Sequence, residues 1–299
     1  MLKVLITGGA GYLGTVTALE LATSGHQVVC LDVCSEPPSW AAWAQGVQGV
    51  SFMPGDVRLD ADVLAAAESM DALIHMAFVV GGRACTAAPN EARCLALCGT
   101  RAVLGASRGK LLVFTSTDAV YGNRARGLVT EDLPCRPDSL YGELKLECEG
   151  LVRSAEKSVV LRLPSHFGAS PKMRSDLLVH YLALQMSRHG RLCLSEPNVT
   201  RTLVHARDAA RCIRHVVENS AEAAGKVFNV ATGSWKKTEI AETIKKVFGG
   251  DLSLDGTFND PETRDFVLDC SGIRSIGWRP AMNLENGIRS LREWVALVG

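Results

Sequence analysis

Tyr141 and Lys145 stand four apart in a stretch, 139–155, whose pattern is helical, and Thr117 closes the apolar run 110–117. On a helix that spacing puts phenol and ammonium on one face. A lysine beside a tyrosine stabilises the phenolate and lowers its pKa, so the pair can move a proton to or from a hydroxyl. Thr117 adds a hydroxyl that can hold the reacting oxygen. A second constellation opens the chain: Thr7-Gly8-Gly9-Ala10-Gly11-Tyr12-Leu13-Gly14. Gly8, Gly11 and Gly14 follow an apolar run and lead into a helical pattern. A pyrophosphate needs that tight turn, a backbone without Cβ in the way, and free N–H groups at a helix start. Asp32 ends the next apolar run, about 20 residues on, where a carboxylate can bond both ribose hydroxyls and repel a 2′-phosphate. That favours NAD over NADP. Together the two constellations describe redox chemistry at a carbon bearing oxygen, with a nicotinamide as hydride carrier.

The elements that must position these groups alternate regularly. Residues 2–7, 26–32, 50–56, 71–77, 110–117 and 158–164 read as short buried strands. Residues 13–24, 90–107 and 139–155 read as helices. Short apolar runs separated by helices imply a parallel sheet covered on both faces, a doubly wound α/β fold with ligands at the carboxyl ends of its strands. Asp56 and Val57, after the third strand, are candidates for holding the adenine. Met76 and Ala77, after the fourth, are candidates for passing the pyrophosphate and ribose, with His75 read as structural. Beyond Pro164 the rhythm breaks over 165–205 and 257–280, with a return to the sheet at 227–231. The expected division is an NAD-binding domain of residues 1–164 and 206–232 and a smaller substrate-binding lobe of residues 165–205 and 233–299.

Composition narrows the classes. Lys plus Arg and Asp plus Glu number 32 each, so no net field points to nucleic acid or an anionic membrane. Aromatics are 6%, few for stacking exposed bases. No run reaches the roughly 18 apolar residues of a membrane span. The ten cysteines form no C-x-x-C pair; Cys94 and Cys98 share a spacing without a second pair to complete a zinc set, so no metal is expected. A reducing cytoplasm is the expected compartment. The run Gly105-Ala106-Ser107-Arg108-Gly109-Lys110 has neither the spacing nor the closing hydroxyl of a P-loop.

The ordered motifs resemble the extended short-chain dehydrogenase/reductases, particularly the nucleotide-sugar epimerases and dehydratases. The resemblance runs over nearly the whole chain. It rests on Thr-Gly-x-x-Gly-x-x-Gly at 7–14, Thr-Ser-Thr-Asp-Ala-Val-Tyr-Gly at 115–122 and Tyr-x-x-x-Lys at 141–145. Leu161-Arg162-Leu163-Pro164, Arg201 with His205 and Asp208, Val227-Phe228-Asn229-Val230 and Gly277-Trp278-Arg279-Pro280 continue it. The resemblance implies Tyr141 as proton-transfer group, Lys145 as its electrostatic partner and ribose ligand, and Thr117 as the hydroxyl positioning the substrate. It implies cofactor contacts from Gly8, Gly11, Tyr12, Leu13, Gly14, Asp32, Asp56, Val57, Met76, Ala77 and Pro164. It also implies substrate contacts from Thr117, Asp118, Ser165, Arg201 and Arg264, the arginines on a nucleotide diphosphate, and a homodimer.

Three positions depart from the family pattern. The sugar 4,6-dehydratases carry Thr-Asp-Glu where this chain has Thr117-Asp118-Ala119, so the elimination base is lost. Ala96 and Ser165 replace asparagines common among relatives. Asp118, Glu131 and Glu143 are the nearby carboxylates that could replace the missing base. The expected activity is an NAD-dependent epimerisation of a nucleotide sugar at carbon 4. The alternatives are net dehydrogenation or reduction of a sugar, sugar acid or other secondary alcohol, and a non-catalytic module that senses NAD.

Overall fold

The computed structural model describes residues 1–33, 46–254 and 264–298. Its centre is a seven-stranded parallel sheet in the order β11-β7-β5-β4-β1-β2-β3, formed by β1 (Lys3–Thr7), β2 (Gln27–Asp32), β3 (Val50–Pro54), β4 (Ala72–His75), β5 (Leu111–Thr117), β7 (Ser158–Leu163) and β11 (Val227–Asn229). Alternate residues of a strand face opposite sides, so a sheet buried on both needs apolar residues at odd and even positions alike. Register shows why these runs are continuous. Leu5, Leu73 and Leu112 align across β1, β4 and β5 and enter one core, while Ile6, Ile74 and Val113 enter the other. All six are fully buried, each contributing on the order of 1.5–3 kcal/mol relative to exposure.

Helices Tyr12–Thr23 and Ala206–Glu218 pack against each other over one face; Asp60–Ala67, Pro89–Ala106 and Leu140–Val152 cover the other. The strand order reverses between β1 and β4, which opens a crevice at the carboxyl ends beside Thr7 and His75. His75 is fully buried there, its two ring nitrogens bonded to Thr7 Oγ1 (2.8 Å) and Thr100 Oγ1 (3.1 Å). It locks two strand ends and a helix together, and burial pushes its pKa down to about 3.

After β7 the chain builds smaller sheets: β12 (Gly233–Lys236), β10 (Thr200–His205) and β8 (Ser165–Phe167) in one, β13 (Asp251–Ser253) with β9 (Arg191–Cys193), and β14 (Asp265–Leu268) with β6 (Arg126–Val129). A third core, including Phe167, Leu182, Leu203, Ile240 and Ile288, lies among the first two of these, while Val129, Phe266 and Leu268 of the β14–β6 pair join a core of the main sheet. The irregularity expected over 165–205 is corrected in part: helix Leu178–His189 occupies the middle of that segment, burying Val179, Leu182, Ala183 and Met186 at helical spacing. Its signal was masked because buried His180 sits on the apolar face and the residues before it, from Gly168 to Asp176, are turn-formers. Residues 257–263 of the second irregular segment, and Cys34, lie outside the described residues.

Candidate active site

Each glycine of the opening turn has its own steric cause. Gly8 has φ +73°, and a Cβ there would meet the Ala77 amide nitrogen at 2.7 Å; a Cβ at Gly14 would meet the Gly8 carbonyl oxygen at 2.3 Å. A Cβ at Gly11 would meet the Gly8 oxygen alone, at 3.2 Å, and would otherwise project into open space. Gly11 is also the N-cap of helix Tyr12–Thr23, which has no side-chain cap and no acidic residue in its first turn. The positive end of that helix therefore opens into a cavity of about 570 Å³, walled in part by Gly8, Gly11, Tyr12, Leu13 and Gly14. That cradle suits a diphosphate.

At one end of the cavity the Asp32 carboxylate accepts the Ala10 N–H at 2.9 Å. Burial pushes its pKa up, while the amides of Ala10 and Val33 and the Lys172 ammonium pull it back. Val57, Met76 and Ala77 line the same cavity. Val57 is buried, and a Cβ on Gly99 would come within 2.9 Å of it. Asp56, between the cavity-lining Gly55 and Val57, is not itself in the wall. Its carboxylate is taken by Arg58, 2.8 Å from Nε, which holds the carboxyl below its usual range. A nearby arginine two residues on is a stronger partner than an adenine amino group. Pro164 is buried at the end of β7; the neighbouring cavity walls are Leu163 and His166.

The opposite end holds the proton-transfer set. The Ser139 hydroxyl accepts the Gly142 N–H at 3.2 Å and caps helix Leu140–Val152, so Tyr141 falls in the first turn and Lys145 one turn later. A Cβ at Gly142 would meet the Ala119 carbonyl at 2.8 Å; its absence lets this helix sit directly on the 3-10 turn Asp118–Tyr121. That approach brings the Tyr141 phenol near enough to Thr117 for the hydroxyl to pull its pKa down. Thr117 Oγ1 also accepts the Ala119 N–H at 3.2 Å. Lys145 is buried, donates to the Thr115 carbonyl at 2.7 Å and lies 3.8 Å from the Phe78 ring centroid.

In the chain by itself Lys145 is not among the main groups acting on the Tyr141 phenol. Burial dominates both groups, pushing the phenol well above its usual range and Lys145 down to about 7. The ammonium is 6.0 Å from the Tyr141 ring centroid, and the cation acting most on this phenol is Arg174. In the chain by itself the phenol is neutral at pH 7.

Behind the set a buried network holds the helix in place. Arg162 on β7 pairs with Glu149 at 2.8 Å, Ser116 donates to Glu149 at 2.5 Å, and Arg162 donates to the Tyr121 hydroxyl at 2.9 Å. Glu149 lies one turn beyond Lys145, so β5, β7 and the helix are fixed to one another at that level.

Asp118 is buried and ion-paired with Arg264 at 3.3 Å, so these two expected substrate contacts meet each other. Arg201 is 3% exposed, with Nη2 3.5 Å from the Ser165 hydroxyl. None of these four lines the dinucleotide cavity. Glu131 accepts the Asn229 N–H at 2.8 Å, and Glu143 is exposed. Among the described residues no group of three or more His, Cys, Asp or Glu is placed to hold a metal ion, and no helix is long and apolar enough to cross a membrane.

The cavity wall also contains Phe78, His166, Lys172, Met173 and Arg174, which sequence reasoning passed over. A signal existed. These last four follow the carboxyl end of β7, on the side where this fold binds ligands, and two of them are cationic. His166 is held neutral, its pKa lowered to about 3 by burial and by Arg174.

Comparison with known proteins places this geometry. The NAD dependent epimerase/dehydratase family matches residues 4–231. A UDP-glucose 4-epimerase of Streptomyces lividans is 29% identical, over 93% of this chain and 92% of its own length. One from Bacillus subtilis is 25% identical, over 98% and 96%. The structure of a UDP-glucose-4-epimerase from Stenotrophomonas maltophila, solved with NAD and formylated UDP-arabinopyranose, superposes with a TM-score of 0.87 at 23% identity, covering 100% of this chain and 99% of that one. A match over most of the chain, on a sheet with a dinucleotide cradle at its switch point, has one reading: the chain belongs to the NAD dependent epimerase/dehydratase family, and NAD is the cofactor its crevice takes.

Proposed function

We propose that this protein is an epimerase inverting carbon 4 of a nucleotide sugar. The observation that carries the proposal is Tyr141 in the cavity wall, near Thr117, with a buried alanine at position 119. Tyr141 and Thr117 can grip one sugar oxygen and move its proton. Position 119 offers no carboxylate to remove a second proton for water elimination. The relatives named as UDP-glucose 4-epimerases support the same reaction.

NAD, when bound, supplies the acceptor and then the donor of a hydride at carbon 4. The glycine turn and the helix start hold its diphosphate, Asp32 its adenosine ribose, and Lys145 its nicotinamide ribose. Tyr141 takes the proton from the hydroxyl at carbon 4 and returns it after the sugar has turned. Burial raises the phenol pKa, so ionisation needs added positive charge, of which Arg174 supplies part in the chain by itself. Thr117 keeps the reacting oxygen within reach. Arg264, paired with Asp118, and Arg201, beside Ser165, are the guanidinium groups that would take the nucleotide diphosphate.

The lobe over the nucleotide is residues 165–205 and 233–299, built around the third core, against the NAD-binding part of 1–164 and 206–232; Phe266, Leu268, Ile273 and Trp278 of that range pack instead into a core of the main sheet. The enzyme works in the cytoplasm as a homodimer, and sedimentation at micromolar concentration would show a single species of twice the chain mass. Incubating the purified protein with UDP-glucose, its uronic acid and dTDP-hexoses tests the reaction. Product mass equal to substrate mass supports epimerisation. Loss of one water sinks it in favour of dehydration, and loss of two hydrogens in favour of net oxidation.

A further inference from the structure

Residues 168–176 leave β8 and fold back over the first turn of helix Tyr12–Thr23. The Tyr12 hydroxyl donates to the Gly168 carbonyl at 2.7 Å. The Ser170 hydroxyl donates to the Tyr12 carbonyl at 2.7 Å, lies 3.1 Å from Thr15 Oγ1 and accepts the Lys172 N–H at 3.2 Å. Met173 packs on the small core of Tyr12, Val16, Ala206 and Ala210, and the Arg174 carbonyl meets His180 Nδ1 at 2.6 Å. The segment is thus a strap tied at both ends, and it becomes a wall of the dinucleotide cavity through Lys172, Met173 and Arg174.

Its two cations are graded along the cofactor's path. Lys172 is near enough to the Asp32 carboxylate to stabilise its charge, at the adenosine end. Arg174 acts on both the Tyr12 and Tyr141 phenols, between the helix start and the proton-transfer set. Among the described residues lining the cavity, Asp32 is the carboxylate and Lys145, Lys172 and Arg174 are the cations. Lys145, bonded to the Thr115 carbonyl beside the Phe78 ring, is the cation already assigned to the nicotinamide ribose. Arg174 is held by Asp176, whose side chain is largely exposed, so the carboxylate can stay with water when the guanidinium turns to a better anion.

We propose that the strap of residues 168–176 is part of the cofactor site, with Arg174 binding the NAD diphosphate from the side opposite the glycine turn and Lys172 reinforcing it from the adenosine end. The diphosphate then lies between a helix start and a guanidinium, and release of NAD requires the strap cations to let go. This rests on NAD being the cofactor, and it adds residues that the glycine fingerprint and Asp32 do not include.

The test is calorimetric titration of cofactor-stripped full-length protein with NAD and, separately, with UDP, alongside stopped-flow release of NAD. Arg174→Gln should weaken NAD by about tenfold or more and speed its release by a similar factor, leaving UDP within about twofold. Lys172→Glu, at an exposed side chain that carries no packing, should weaken NAD by about fivefold even if Arg174→Gln fails to fold. NAD affinity unchanged in Lys172→Glu, or in a folded Arg174→Gln, overturns the proposal while leaving the cofactor assignment intact. Loss of UDP affinity with NAD unaffected overturns it by assigning the strap to the sugar nucleotide. No NAD binding by the unmodified protein overturns both.

Discussion

Replacing Lys145 by methionine should stabilise the cofactor-free protein at pH 6 and stabilise it far less at pH 9. An ordinary lysine titrates at 10.5, and burial in this fold lowers the pKa to about 7. Between those values the unfolded chain holds a proton that the folded chain has released, so wild-type stability climbs with pH across that window. At pH 6 the charged form carries its full penalty, ~5 kcal/mol for the drop from 10.5 to about 7; at pH 9 ~2 kcal/mol remains. Methionine removes the charge but leaves the Thr115 carbonyl without its donor, a cost of ~1–3 kcal/mol that does not vary with pH. The fixed cost cancels on comparing pH values. The advantage of Lys145→Met over wild type should therefore shrink by roughly 2–3 kcal/mol from pH 6 to pH 9. Urea unfolding of both proteins at four pH values reads it. A gap that stays constant refutes the reasoning and would mean that the Phe78 and Phe114 faces keep this ammonium charged at ordinary pH.

Tyr141→Phe should leave NAD affinity and unfolding nearly unchanged while lowering turnover by about 10² or more, and near-normal turnover on the true substrate would contradict its role. Asp32→Ala should shrink the preference for NAD over NADP, measured as the ratio of dissociation constants; equal constants in the unmodified protein would contradict the ribose contact. Glu149→Leu strands the Arg162 guanidinium in the core and should cost about 3–5 kcal/mol in denaturant unfolding, with a loss below about 1 kcal/mol counting against the network.

Legibility in the sequence followed the range of the interactions. The strands of the main sheet are readable because burial on both faces forces continuous apolar runs, as in Val4-Leu5-Ile6 and Leu111-Leu112-Val113-Phe114. Tyr141 and Lys145 are readable because one helix fixes their relation through spacing. The electrostatics of that pair are not, since the Tyr141 pKa depends on burial and on Arg174, which arrives from a different part of the chain. The strap was missed for a similar reason: nothing local to residues 168–176 reveals that Tyr12 and Ser170 will tie it across the glycine turn. Nothing local to Asp118 or Arg264 reveals that folding brings them within 3.3 Å of each other.

An isotope experiment bears on the whole scheme. A nucleotide hexose carrying deuterium on carbon 4 would be incubated with enzyme and resolved by NMR and mass spectrometry. Return of the same hydride to the opposite face predicts deuterium retained at carbon 4 in both epimers, with no reduced nicotinamide released to solution. Deuterium recovered in free reduced cofactor, or exchanged for solvent hydrogen in the inverted sugar, would contradict it.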